Sequence, residues 1–217
     1  MTTYYKALRP DGTDFATGTT RPRKGRWMPR IDGELIMYKR GYHVSDAPGE
    51  TLTGGSWPCK LARVEIPDGE WERQDHKVLV PTYRVVEWLP AWQALGPNGE
   101  AVVALIGRAR CMTTEERKAL AQVRTATAWT TAWTTARTTA RGAARTTARG
   151  AAWTTARGAA WDAARGAARD ASWGAAMDAA WGASWGAAMA LVVRDLISRE
   201  HFDTLYGPWA SVMEKPE

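Results

Sequence analysis

Between residues 125 and 190 the chain lacks the usual amphipathic stripe of apolar residues at alternating threes and fours; instead, large and small side chains recur with a strict period of four. In frame the units read Trp-Thr-Thr-Ala, Arg-Thr-Thr-Ala, Arg-Gly-Ala-Ala, Trp-Asp-Ala-Ala and Trp-Gly-Ala-Ser. Each has one bulky residue (Trp, Arg or Met) followed by three small or short polar ones. On an α-helix, four residues advance about 40° beyond a full turn and rise about 6 Å. The bulky residues therefore form a ridge that winds slowly around the axis and returns after roughly nine units, or about 54 Å. Beside it runs a groove of Ala and Gly. Rows at i, i+4 interdigitate in helix pairs, and small residues let two axes approach closely. A β-solenoid is the alternative, because four is a multiple of the two-residue strand period and would keep the bulky residue on one face.

The flanks favour a helix. Thr113-Thr114-Glu115-Glu116 reads as a capping box, followed by good helix formers. After the tract, Leu191 to Ile197 continues without a breaker, and Tyr206-Gly207-Pro208 reads as a stop signal. The pattern thus predicts a repeat region with helical flanks over residues 113–206 and a C-terminal tail over 207–217. Each Gly costs about 1 kcal/mol relative to Ala in a helix, and each Thr up to about 0.7. A solitary helix of this composition is marginal, so the tract is expected to pair with itself, as a folded hairpin or between chains. The Gly-rich stretch 141–150 is the expected break. Arg and Trp four residues apart, as at Trp153, Arg157, Trp161 and Arg165, favour cation–π contacts along the ridge.

Residues 1–110 follow a different pattern. Short β-rich runs occur at 4–8, 34–38, 42–45, 59–66, 77–80 and 83–88, with a short helix near 48–52 and a basic, Pro/Gly-punctuated loop over 20–30. The expectation is an α+β protein: a small β-rich N-terminal domain, mostly antiparallel, joined near residues 107–113 to the repetitive helical region.

Composition narrows the function classes. Net charge is +6 over 217 residues, which permits nucleic acid or another acidic partner without requiring one. The two cysteines, Cys59 and Cys111, have no paired spacing, arguing against a disulfide framework or zinc cluster and suiting a reducing compartment. No signal-peptide-like segment and no spanning stretch of about eighteen apolar residues is present, so the expected setting is the cytosol of a bacterial host or a virion. No metal-ligand spacing, Gly-rich phosphate loop or nucleophile elbow occurs, so no cofactor is expected.

Tyr5-Lys6-Ala7, then Gly41-Tyr42-His43-Val44-Ser45-Asp46-Ala47-Pro48, then Ala62-Arg63-Val64-Glu65-Ile66 make residues 3–90 resemble an uncharacterised domain of phages and bacteria. The usual pattern of that family is Tyr-Lys-Gly-Phe, Gly-Phe-His-x-Cys-x-Asn-Pro and a Val-Glu strand. This chain departs with Ala7 for Gly, Ser45 for Cys and Ala47 for Asn. Members often carry low-complexity Ala/Thr/Gly repeats after the domain, so the resemblance implies a phage or prophage origin. The same region also resembles ADP-ribosyltransferase-like folds: a basic residue on the first strand, a Gly-aromatic-His-x-Ser element and a later Glu-bearing strand. That resemblance implies Lys6 or Arg9 on the phosphates of a nicotinamide dinucleotide, Ser45 steadying the cleft, and Glu65 or Glu87 polarising a ribose hydroxyl. His43 is a candidate general base or ligand, although a hydrogen-bonded structural histidine is the plainer reading.

In the tract, Arg137, Arg141, Arg145 and Arg149 could track a phosphate backbone while Trp side chains stack on bases. The leading expectation is an interaction role. The ridge residues Trp129, Trp133, Trp153, Trp161, Trp173, Trp181, Trp185 and Met189 supply area and self-complementarity for self-association or for a protein partner.

Overall fold

The computed structural model describes the backbone of residues 3–123, 127–146, 149–167 and 175–214, and their side chains except at 127–131, 161, 164–167 and 175–179. The architecture is α+β. The chain divides into two compact units, Met1–Gly96 and Pro97–Glu217. The boundary falls ahead of the junction at 107–113 that composition suggests.

In the first unit, strands β1 (Tyr4–Leu8), β2 (Tyr42–Ser45), β3 (Lys60–Glu65), β4 (Arg73–Gln74), β5 (Lys77–Val80) and β6 (Arg84–Leu89) form one antiparallel sheet in the order β4-β5-β2-β1-β3-β6. Two-residue alternation places Tyr4, Val44, Ala62, Val64, Val78 and Val80 in one buried cluster with Tyr83 and Val85. Met28 and Trp71 pack against that cluster. Short 3-10 turns at Pro48–Glu50 and Ala91–Leu95 touch each other and supply buried residues of their own. The run at 34–38 is not a strand. Ile36 and Arg40 exchange backbone hydrogen bonds across a tight turn, in which Tyr38 takes a left-handed φ of 61°.

Among the described residues the second unit has six helices: α1 (Gly99–Arg110), α2 (Thr114–Val123), α3 (Thr127–Thr146), α4 (Gly150–Ala167), α5 (Ala175–Val192) and α6 (Arg199–Met213). Helix α1 was hidden by its β-branched composition, yet Val102, Leu105, Ile106 and Ala109 are buried at helical spacing. The capping box forms at α2: Thr113 N–H donates to Glu116 Oε2 (2.8 Å), and Glu116 N–H donates to Thr113 Oγ1 (3.2 Å).

The described part of the tract is helical, which excludes the solenoid there. It is divided between α3, α4 and α5, with one break inside the stretch 141–150. In nine of the ten tetrapeptides whose last residue is described, Ala132 being the exposed exception, that residue faces inward. Ala136, Ala140 and Ala144 on α3, Ala152, Ala156 and Ala160 on α4, and Ala180, Ser184 and Ala188 on α5 are all essentially inaccessible. Two steps of four residues turn the row by only about 80°. In helices of this length a row of small residues therefore remains a usable face. Helix α5 touches all five other helices, and residues 180–193 are buried throughout except for partly buried Trp185. A helix apolar on all sides belongs in the centre of a bundle. Gly186 marks the closest approach: a Cβ there would lie 3.0 Å from the Leu205 carbonyl oxygen of α6 and 3.2 Å from Trp133 Nε1 of α3.

Two expectations at the C-terminal end are corrected. The chain does not continue helically from Leu191 to Ile197: α5 ends at Val192, a turn follows, and Ser198 Oγ caps α6 by accepting from His201 N–H (3.2 Å). Nor does Gly207-Pro208 stop the helix or begin a tail. Pro208 lies inside α6, where Leu205, Pro208 and Trp209 are buried together, and this packing offsets the missing Pro N–H.

Gly142 and Gly158 have open space where a Cβ would sit. Gly142→Ala and Gly158→Ala should each raise stability by about 1 kcal/mol, the helix-propensity difference. Gly186→Ala should lower it, because a backbone carbonyl must move. Chemical denaturation of the three variants checks this. A gain at Gly186 equal to that at Gly142 would contradict the close packing of α5 on α6.

Candidate functional site

The strands of the first unit part where their side chains turn polar. Among the described residues β1 and β2 share only the Tyr5–Ser45 pairing. Beyond it, the Lys6 ammonium reaches across and donates to the His43 carbonyl oxygen (2.9 Å). A cavity of about 290 Å³ opens along this gap, lined by Lys6, His43, Ser45, Lys77, Tyr38 and Lys39, among others. On β5, Lys77 stands directly opposite Ser45 and donates to its hydroxyl oxygen (3.0 Å); both residues are buried.

Burial dominates the electrostatics. It pushes the Lys6 amine down to about 8, with Asp14 pulling in the opposite direction. Lys77 also falls to about 8 through burial and the Lys6 charge, against the pull of Glu50. His43 falls to about 4, through burial and then the two lysine charges. The His43 ring is therefore neutral at pH 7. Its Nε2 accepts the Tyr38 backbone N–H (2.9 Å), which places the ring proton on Nδ1. The Tyr38 ring lies parallel to the imidazole, with centroids 5.3 Å apart. An occupied Nε2 and a depressed pKa suit a positioned donor better than a general base.

The structure thus brings together Lys6, His43 and Ser45 of the residues singled out from sequence. The others lie elsewhere. Arg9 donates to the Phe15 carbonyl oxygen (3.2 Å) and is exposed. Glu65 pairs with Arg84 (2.7 Å) and Glu87 with Arg63 (2.9 Å), and neither carboxylate lines the cavity. The arrangement implied by the ADP-ribosyltransferase resemblance, a Glu facing the lysine, is not assembled. Lys77 and Tyr38 were missed. Lys77 opens the apolar run Lys77–Val80, and nothing in the sequence marked that it would stand opposite Ser45. Nothing local marked Tyr38. Cys59 is buried and its thiol is pushed up to about 12, so it is inert.

In the second unit the bulky ridge is largely used by the chain itself. Trp153, Trp181 and Met189 are buried, which removes them as contacts for a partner. Trp133 meets Trp185 edge to face at 5.3 Å. Arg137 lies over both rings (5.3 and 5.2 Å), and Arg157 lies over Trp185 (5.5 Å). The cation–π contacts thus link α3, α4 and α5 as well as running along one ridge. Arg149 makes a two-point ion pair with Asp195 (2.6 and 2.9 Å) and donates to the Val192 carbonyl oxygen (3.2 Å). It ties the break before α4 to the end of α5. Only Arg141 and Arg145 of the four arginines remain exposed. The side chains of Trp129 and Trp161, and all of Trp173, lie outside the described residues. Among the described residues there is no group of three or more metal-ligating side chains, and no helix is long and apolar enough to cross a membrane.

Because the folded state lowers both lysine pKa values, the unfolded chain binds more protons between about pH 8 and 10.5. Stability should therefore rise with pH through that window as far as these lysines contribute. At pH 7 the double variant Lys77→Met/Ser45→Ala should melt at a higher temperature than the wild type, and the gap should narrow as pH approaches 10. A gap independent of pH would contradict the burial argument. No family model matches the chain, and no curated protein or solved structure was found to resemble it.

Proposed function

We propose that the protein is a phage-type accessory protein that acts by association through its helical unit, with a second copy as the first partner to consider. The observation that carries this reading is the outward face of α3. Thr135, Thr138, Thr139 and Gly142 are exposed on it, flanked by Arg141 and Arg145. It carries the same small-residue texture that the tract uses when its helices pack closely on one another. A face of this kind is self-complementary, as a two-fold contact requires. The buried tryptophans hold the scaffold and do not take part in the contact. The ADP-ribosyltransferase-like reading is not carried forward, since both candidate carboxylates are engaged by arginines outside the cavity.

Sedimentation equilibrium is the test. A concentration-dependent dimer is expected, and Thr138→Glu with Gly142→Glu should weaken it by about tenfold or more by placing like charges opposite each other. A monomer at every concentration would overturn self-association.

A second reading is favoured by Arg141 and Arg145, which are exposed one turn apart. If they hold a phosphate backbone, log K for duplex binding should fall with log salt at a slope of about −1.8, for two contacts. A salt-independent signal, or one unchanged in Arg141→Ala/Arg145→Ala, would remove that reading.

A further inference from the structure

We propose that residues 21–30 form a docking surface for single-stranded nucleic acid. This segment carries Arg21, Arg23, Lys24, Arg26 and Arg30 and no acidic residue. Residues 21–40 together hold seven lysines and arginines against Asp32 and Glu34, a surplus of five in a chain whose net charge is +6. The five basic side chains of 21–30 are all exposed. Arg21 lies 3.7 Å from Asp11, a loose pair open to water. Among the described residues Arg23, Lys24, Arg26 and Arg30 form no ion pair. Glu65 and Glu87, the carboxylates on β3 and β6, are held by Arg84 and Arg63.

The segment is fixed in place without those side chains. It follows residues 81–85 at the edge of the sheet that β6 forms: Gly25 N–H donates to the Val85 carbonyl oxygen (2.8 Å), Met28 N–H to that of Tyr83 (2.8 Å) and Ile31 N–H to that of Pro81 (2.9 Å). Thr82 Oγ1 donates to the Met28 carbonyl oxygen (2.6 Å), and the Tyr42 hydroxyl to that of Pro29 (3.1 Å). Pro22 is buried, and Met28 packs against the apolar cluster. Covering a sheet edge therefore needs only this backbone and two apolar side chains. A block of like charges repels itself and is ordinarily disordered. Here five are held along an ordered backbone with no structural return. A polyanion supplies the return, because each phosphate that meets a fixed cation releases its counterion.

Trp27 selects the kind of polyanion. It stands between Arg26 and Arg30 in the sequence. The Arg84 guanidinium lies 5.2 Å from its ring centroid while pairing with Glu65 (2.7 Å). This contact steadies the indole beside β6 and leaves it 39% exposed. A steadied indole among arginines suits a strand that offers phosphates and unpaired bases together: the guanidinium groups take phosphate oxygens, and the ring takes the face of a base. Bases stacked inside a duplex present no such face. A membrane surface calls for a broad apolar face, which one tryptophan does not give. An acidic protein would meet the charges and leave the ring without a role.

Fluorescence anisotropy of the full chain with labelled oligothymidylate, and competition by its duplex with oligodeoxyadenylate, by polyglutamate and by phosphatidylserine vesicles, tests the assignment. The single strand should bind most tightly, and log K should fall with log salt at a slope of about −2.8, for four phosphate contacts. Arg23→Ala/Arg26→Ala should halve that slope and weaken binding about tenfold or more at about 50 mM salt. Its melting temperature should match that of the wild type, because both side chains are exposed. Arg23→Lys/Arg26→Lys should keep the slope. Trp27→Ala should weaken single-strand binding about fivefold or more at an unchanged slope, and Trp27→Phe should lose less. Arg141→Ala/Arg145→Ala should leave single-strand binding as it is. No single-strand binding at about 50 mM salt would overturn the proposal, as would tighter binding of the duplex, the vesicles or polyglutamate. So would a single-strand signal that survives Arg23→Ala/Arg26→Ala, or one that only Arg141→Ala/Arg145→Ala removes.

Discussion

A small residue at every fourth position is the constraint on which the second unit depends. Four residues overshoot one helical turn by about 40°. Over a long uninterrupted helix such a row would wind to every side, and no neighbour could follow it. Over the three successive row positions buried in each of α3, α4 and α5, it turns by about 80° and stays on a usable face. The division of the tract into shorter helices is thus the condition under which its period can form a core. The packing that results is backbone-close, with Ala136, Ala140, Ala156, Ala160 and Ala188 at full burial. Large side chains close the gaps: Trp133 lies over Gly186, and Trp153 and Trp181 are buried within the helical unit. Dispersion contacts at this density compensate for the poor helix propensity of so many Thr and Gly residues.

The same constraint explains what could be read from sequence and what could not. Period and caps identify helix, and the Gly-rich stretch locates a break. The side that faces inward was not legible, because the eye follows the bulky residue, whereas the alanine is the more constant buried element. The partner of the tract was not legible either. A chain that reads as self-complementary fits a hairpin, a bundle or an oligomer equally well until α5 is seen to be apolar on all sides. Helix α1 was left unassigned, because Val102, Val103 and Ile106 are β-branched although the buried residues recur at helical spacing. Composition misled at Pro208, a local stop signal overridden by the burial of Trp209.

In the first unit most strands were legible as short β-rich runs, with clear alternation at β3, whereas the two-residue β4 was not. The cavity was not, because it depends on where two adjacent strands stop pairing. Beside that gap Lys77 is buried against Ser45, and Lys6 reaches the His43 carbonyl oxygen beside the Tyr83 ring, polar groups set in an otherwise apolar sheet. Local inconsistency of this sort is characteristic of sites kept for binding, not for stability. Glu65 and Glu87, chosen from sequence as the reactive carboxylates, sit on outward positions of β3 and β6. Cross-strand arginines claim them there.

Native-state hydrogen exchange on the full chain tests the central claim, that α5 is the buried axis of the helical unit, most directly. If it is, the amides of residues 181–192 exchange only through global unfolding, and their protection matches the stability measured by denaturant. Exchange of those amides by local opening, orders of magnitude faster than global unfolding permits, would show that the alanine rows do not hold α5 in place.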